Sequence, residues 1–109
     1  MKSVSNILGL SISTTPYKDT ASYIIELAAN HTSGYFCFAN AHMTVEAHDD
    51  PSFARQVNDA NMVCADGMPL VKANKILHGK RIERVAGMDM MPTILDLSEE
   101  KNLAVYFFG

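Results

Sequence analysis

Four short apolar runs alternate with stretches of helical spacing, and this alternation constrains the fold more than any single residue. The runs are "NILGLSI", "GYFCFAN", "NMVCA" and "NLAVYFFG". Between the first two lies "TTPYKDTASYIIELAAN", where Ala21, Ile24, Ile25 and Ala28 share one helical face. Thr15 is its candidate cap, and Pro16 suits the first helical position. "AHMTVEAHD" and "PSFARQVNDA" read as two helices, with Met43 and Ala47, then Phe53 and Val57, turned inward. "PLVKANKIL" is a helix that stops before Gly79. "GMDMMPTILDLSEE" is another, kinked or begun at Pro92.

Strand–helix alternation with short connections predicts an α/β fold. Its sheet is expected to be Rossmann-like, mainly parallel and flanked by helices. "GYFCFAN" is apolar throughout, as a strand covered on both faces must be. The last run, "NLAVYFFG", reads as a buried strand. It reaches Gly109 where such a strand would enter its next loop, so residues 1–109 are expected to be the N-terminal part of a larger domain.

Composition sets the outer limits. A chain of 109 residues with 48% hydrophobic and 19% charged residues can build one small core. A net charge of -3 gives no basic, aromatic-interleaved footprint, so no nucleic-acid partner is expected. No apolar run approaches the ~18 residues needed to span a bilayer. The N-terminus "MKSVSNILGLSIS" makes a poor signal peptide and a good first strand, which favours a reducing cytoplasm. Cys37 and Cys64 both fall in apolar runs. They are either a redox or metal pair or two small core residues, and packing favours the second.

Parallel sheets of this kind bind ligands beyond the carboxyl ends of their strands. Asn40 ends one strand and Asp66 ends another, and both are candidates to face one crevice. In "VCADGMPLV", Asp66 and Gly67 precede a helix beginning near Pro69. Asp66 either caps that helix or presents its carboxylate to a ligand, and the local sequence leaves both readings open. The N–H groups of the helix start would favour a phosphate in the same space. Arg84, in "IERVAGMD", can grip a diphosphate bidentately or pair with a nearby acid. Asp89 falls near a helix start, where a carboxylate suits the dipole. His42 can move a proton or contact phosphate, or simply touch Glu46 four residues on. His31 and His78 read as surface loop residues. Cys37, His42, His48 and Cys64 match no zinc spacing, so no metal is expected. There is no glycine-rich dinucleotide fingerprint, no phosphate loop with Gly-Lys-Ser/Thr and no Asp-x-Asp element. No cofactor is expected, and an unrelated dinucleotide enzyme is disfavoured.

Taken together, "FANAHMTVEAHDDPSFARQVNDANMVCADGMPLVKANKILHGKRIERVAGMDMM" resembles the N-terminal half of the WecG/TagA/CpsF glycosyltransferases. The resemblance runs from about residue 5 to the end. It rests on the Asn-Ala-His-Met block, Ala-Asp-Gly-Met-Pro, and Glu-Arg-Val-x-Gly-x-Asp before an apolar run ending in Phe-Gly. It implies an inverting transferase that moves a sugar, typically N-acetylmannosamine, from a UDP-sugar. The implied acceptor is a polyprenyl-diphosphate-linked GlcNAc at the inner face of the plasma membrane, in cell-surface polysaccharide synthesis. Carried over, Asp66 matches the catalytic base, Arg84 an arginine that holds the diphosphate, and Asn40 a substrate-pocket residue. His42, Gly67 and Asp89 lie in the same matching blocks. Many relatives place Thr two positions before that Asn, where this chain has Phe38. The family continues beyond Phe-Gly with a glycine-rich turn, more sheet, a polar pocket segment and a membrane-docking appendage, which lie outside these 109 residues. The alternative expectation is therefore a non-catalytic nucleotide- or partner-binding fragment. Under the main reading the isolated chain is not expected to be a competent transferase, and it is expected to self-associate through residues 103–108.

Overall fold

The computed structural model describes residues 3–107. The chain runs β1 (Val4–Ile7), β2 (Leu10–Ser13), α1 (Tyr17–Ala29), β3 (Phe36–Ala39), α2 (Ala41–Asp49) and α3 (Pro51–Asn58). It continues with β4 (Met62–Ala65), α4 (Met68–His78) and α5 (Gly87–Glu100). The architecture is α/β and compatible with an incomplete Rossmann-like fragment. β3 and β4 pair in parallel, from Phe36 opposite Met62 to Ala39 opposite Ala65.

The first run departs from expectation. It is an antiparallel hairpin, β1 with β2, not one strand. Leu8 at φ 51° and Gly9 at φ 93° form its two-residue turn. A tight hairpin favours positive φ at both turn positions, because that twist matches the strands. Glycine adopts it freely, whereas leucine does so at a steric cost, so "LG" hides the turn that "NG" would announce. Asn6 supports the turn by accepting from the Gly9 N–H at 3.2 Å.

Side-chain alternation explains the parallel pair. Val63 and Ala65 join Ala39, Ala47, Val57 and Leu70 in one core cluster, which also takes in Ile7, Leu10 and Ile12 of the hairpin. Met62 and Cys64 point the other way, to Ala21, Val85 and Met90, with Phe36 and Phe38 packed alongside. All four β4 residues are buried, and α2 and α3 pack together as α1 and α5 do. A fully buried Leu10 or Ile12 contributes about 1.5–3 kcal/mol by leaving water.

Two helix ends have plain local causes, and the stop at Gly79 is as read. Asp50 caps α3 by accepting from the Ser52 and Phe53 N–H groups at 3.0 and 3.2 Å. α4 stops at Gly79, which takes a left-handed φ of 68°. Three details differ. Thr15 does not cap α1; Pro16 occupies the cap position. α5 starts at Gly87 and runs through Pro92. His78 is the last residue of α4 rather than a loop residue, and its Nε2 lies 2.7 Å from the Asn6 carbonyl.

The expected last strand is also corrected. Residues 103–107 have no regular structure, and Tyr106 is 91% and Phe107 70% exposed. Phe108 and Gly109 lie outside the described residues. The cause is visible at the end of α5. Asn102 turns the chain at φ 54°, and the Leu103 N–H donates to the Ser98 carbonyl at 2.8 Å, closing the helix. The run then has no ladder partner among the described residues. A strand is stable only when its backbone groups are paired.

Candidate active site

The carboxyl ends of β3 and β4 lie side by side, because Ala39 and Ala65 are register partners and the Asp66 N–H donates to the Ala39 carbonyl at 2.9 Å. Asn40 and Asp66 therefore leave the sheet at one rim. A strap, residues 80–86, closes over this rim. Its Val85 N–H donates to the Ala65 carbonyl at 2.8 Å, and Arg84 Nε donates to the Asp66 carbonyl at 3.1 Å. The arginine is thus held against the residue that carries the candidate carboxylate.

The capping reading of Asp66 does not hold. Gly67 is the cap residue of α4, and no side chain caps that helix. Among the described residues no hydrogen bond or ion pair reaches the Asp66 carboxylate, although the residue is half-buried. A half-buried carboxylate not used by the fold is available for a ligand.

The other sequence candidates divide. Asn40 caps α2: its Oδ1 accepts from the Met43 N–H at 2.9 Å, which leaves its amide nitrogen at the rim. His42 is exposed on α2 and pairs with Glu46 at 2.7 Å, the i,i+4 contact its spacing suggested. No contact joins His42 to Asp66 or Arg84 among the described residues. Asp89 lies exposed in the first turn of α5, where its charge suits the helix dipole. Its backbone carbonyl accepts from the Tyr17 hydroxyl at 2.8 Å. Phe38, where relatives place Thr, packs into the α1–α5 cluster; a Cβ at Gly87 would stand 3.4 Å from its ring.

Cys37 and Cys64 are core residues on opposite faces of the parallel pair, packed in different clusters. They cannot act as a redox pair. Burial pushes the Cys64 thiol up to about 12, with smaller contributions from Cys37 and Asp66. Both folded and unfolded thiols are protonated below the ordinary value of 9.0. Above it the unfolded chain loses its proton first, so stability must fall as pH rises from about 9 towards 12. Urea midpoints at pH 7 and pH 10 test this: Cys64→Ala should show a smaller loss between them than the parent chain. Equal losses would contradict the assignment.

Sequence reasoning missed a groove of about 390 Å³ between α4 and the strap. Met68, Val71 and Ile82 form its apolar lining, and Lys72, Lys75, Arg81 and Arg84 supply four cations. Asn74, fully buried, clamps the two walls by donating from Nδ2 to the Lys80 carbonyl at 2.8 Å. The signal was present in the sequence. Residues 67–82 contain no acid, whereas five of the nine Lys and Arg lie between positions 72 and 84.

Comparison with known proteins places the chain in a family. A curated relative, the N-acetylglucosaminyldiphosphoundecaprenol N-acetyl-beta-D-mannosaminyltransferase of Bacillus spizizenii, is 28% identical over 71 residues. That match covers 65% of this chain and 28% of the relative, so the chain spans a minor part of the relative's length. The family of glycosyl transferases designated WecG/TagA/CpsF matches residues 5–109, nearly the whole chain, and the chain belongs to that family.

Proposed function

We propose that residues 1–109 carry the base-bearing part of a single transferase domain. It moves N-acetylmannosamine from a UDP-sugar to a polyprenyl-diphosphate-linked GlcNAc, with inversion, at the inner face of the plasma membrane during cell-surface polysaccharide synthesis. The observation that carries this reading is the half-buried Asp66 carboxylate, not used in capping α4, beside Arg84 at the strand ends. Family membership and the name of the Bacillus relative support the sugar and the acceptor.

The chemistry follows from the two side chains. The acceptor hydroxyl attacks the anomeric carbon from the face opposite UDP. As the new C–O bond forms, the hydroxyl proton passes to the Asp66 carboxylate and the bond to UDP breaks. Inversion is the stereochemical result. A general base of this kind contributes roughly 10²–10⁴-fold. The departing diphosphate gains negative charge, which the Arg84 guanidinium offsets through N–H donors already oriented by the Asp66 carbonyl. Asn40 and Gly67 line the same rim. Asp89 and His42 are assigned here to substrate contacts with the larger sugar and lipid groups.

The test joins residues 1–109 to the part of the Bacillus relative that lies beyond the matched segment. Transfer from UDP-N-acetylmannosamine to a lipid-diphosphate GlcNAc analogue is then measured. Transfer above the level of the relative's remainder alone is expected. No transfer, while the intact relative works under the same conditions, would refute the reading. A second reading, a nucleotide- or partner-binding fragment, is favoured by the exposed apolar side chains of Val105, Tyr106 and Phe107. Retention of UDP without turnover would single it out.

A further inference from the structure

We infer that the groove between α4 and the strap, with the outer face of α4, docks on an anionic lipid surface. This rests on the lipid-linked acceptor proposed above for its purpose; its evidence is the surface itself. Met68, Lys72, Lys75 and Ile76 succeed one another at helical spacing along one side of α4. Ile76 is 82% exposed and Met68 49%, so two large apolar side chains stand in water on either side of two cations. Arg81 and Arg84 line the groove with Met68, Lys72 and Lys75, and Lys80 adjoins Arg81 in sequence. The one acid of the strap, Glu83, falls between Arg81 and Arg84 in sequence, and its Oε1 is engaged by the Tyr17 N–H at 2.8 Å.

Charge complementarity selects the partner. The chain as a whole is acidic, at -3, yet residues 72–84 hold five of its nine Lys and Arg, and four of these line the groove. An acidic protein gains nothing by displaying unneutralised cations with exposed apolar side chains among them. A membrane surface rewards both: anionic headgroups attract the cations and the interface takes up the apolar side chains. The groove, open beside Arg84, would then bring the acceptor's diphosphate to the rim that holds Asp66. A nucleic acid would take the cations but leave Met68 and Ile76 in water.

The experiment is flotation of the 109-residue chain with vesicles, in the absence of any sugar donor. Phosphatidylcholine vesicles are compared with vesicles containing one third phosphatidylglycerol. Binding is expected only to the anionic vesicles, and it should weaken with salt. Replacing Lys72, Lys75 and Arg81 together by Gln should lower the partition coefficient roughly a hundredfold, since each cation near such a surface is worth about a fivefold factor. Ile76→Ser should lower it severalfold. The matched control is Lys18→Gln with Arg55→Gln and Lys101→Gln, which removes the same charge elsewhere and should retain most binding. Circular dichroism confirms that both triple variants fold. Equal partition of the two triple variants, equal binding to the two kinds of vesicle, or competition by inorganic pyrophosphate without vesicle binding would overturn the inference. Because Asp66 is untouched, failure of the parent chain to bind anionic vesicles, with transfer to a short-chain acceptor retained in the joined protein, would sink the docking surface alone. Retained binding without transfer would sink the transferase reading alone.

Discussion

Asp66→Asn should lower sugar transfer at least about a hundredfold while leaving the melting temperature nearly unchanged. The first effect follows from losing the proton acceptor, since the amide keeps the size of the carboxylate but not its basicity. The second follows from the local structure. Had Asp66 been the α4 cap, its replacement by Ala would cost about 1 kcal/mol or more. Gly67 holds the cap position instead, and the Asp66 backbone, not its side chain, carries the contacts to Ala39 and Arg84. Asp66→Ala should therefore be as stable as Asp66→Asn and as slow. A marked fall in melting temperature with Asp66→Ala would return the residue to a structural role.

Arg84→Ala should weaken use of the donor by roughly tenfold to a hundredfold, the scale of a lost hydrogen bond between charged groups. The side chain is exposed, and its hydrogen bond among the described residues is from Nε to the Asp66 carbonyl. Its removal should thus change binding far more than folding. Arg84→Lys is the more informative variant. It keeps the charge but loses both the planar fork and the Nε donor that fixes its direction, so it should fall between parent and Ala. Donor affinity and turnover both unchanged in Arg84→Ala would remove this residue from the site.

The parallel half of the fold was legible because its signals are local. Continuous apolar runs at Phe36–Ala39 and Met62–Ala65 required cover on both faces, and helical spacing showed the segments that provide it, although the caps at Asn40 and Asp50 were not read. The hairpin was not legible, because Leu8 adopts a turn conformation that its residue type disfavours. The final strand was not legible either. Apolar, β-prone residues at 103–107 record a preference, whereas a strand also needs a partner.

The site shows the same division. The rim formed by Asn40 and Asp66 follows from topology, since strand ends in parallel sheets converge on one edge. The spacing of His42 and Glu46 gave their contact directly. Which way Asp66 would be used depended on a backbone detail: whether Gly67 or Asp66 occupied the cap. The groove depended on the strap returning to α4, a tertiary contact fixed by the buried Asn74 and its bond to Lys80. Asn in the middle of a helix reads as an ordinary polar residue until its burial is known.

The central claim is that Asp66 serves chemistry rather than binding, and one paired measurement addresses it. The dissociation constant for the UDP-sugar and the single-turnover transfer rate are determined on the joined protein, for the parent and for Asp66→Asn. The account predicts a dissociation constant within about threefold of the parent and a rate reduced by at least about a hundredfold. A parent-like rate in Asp66→Asn, or a loss explained entirely by weaker donor binding, would contradict it.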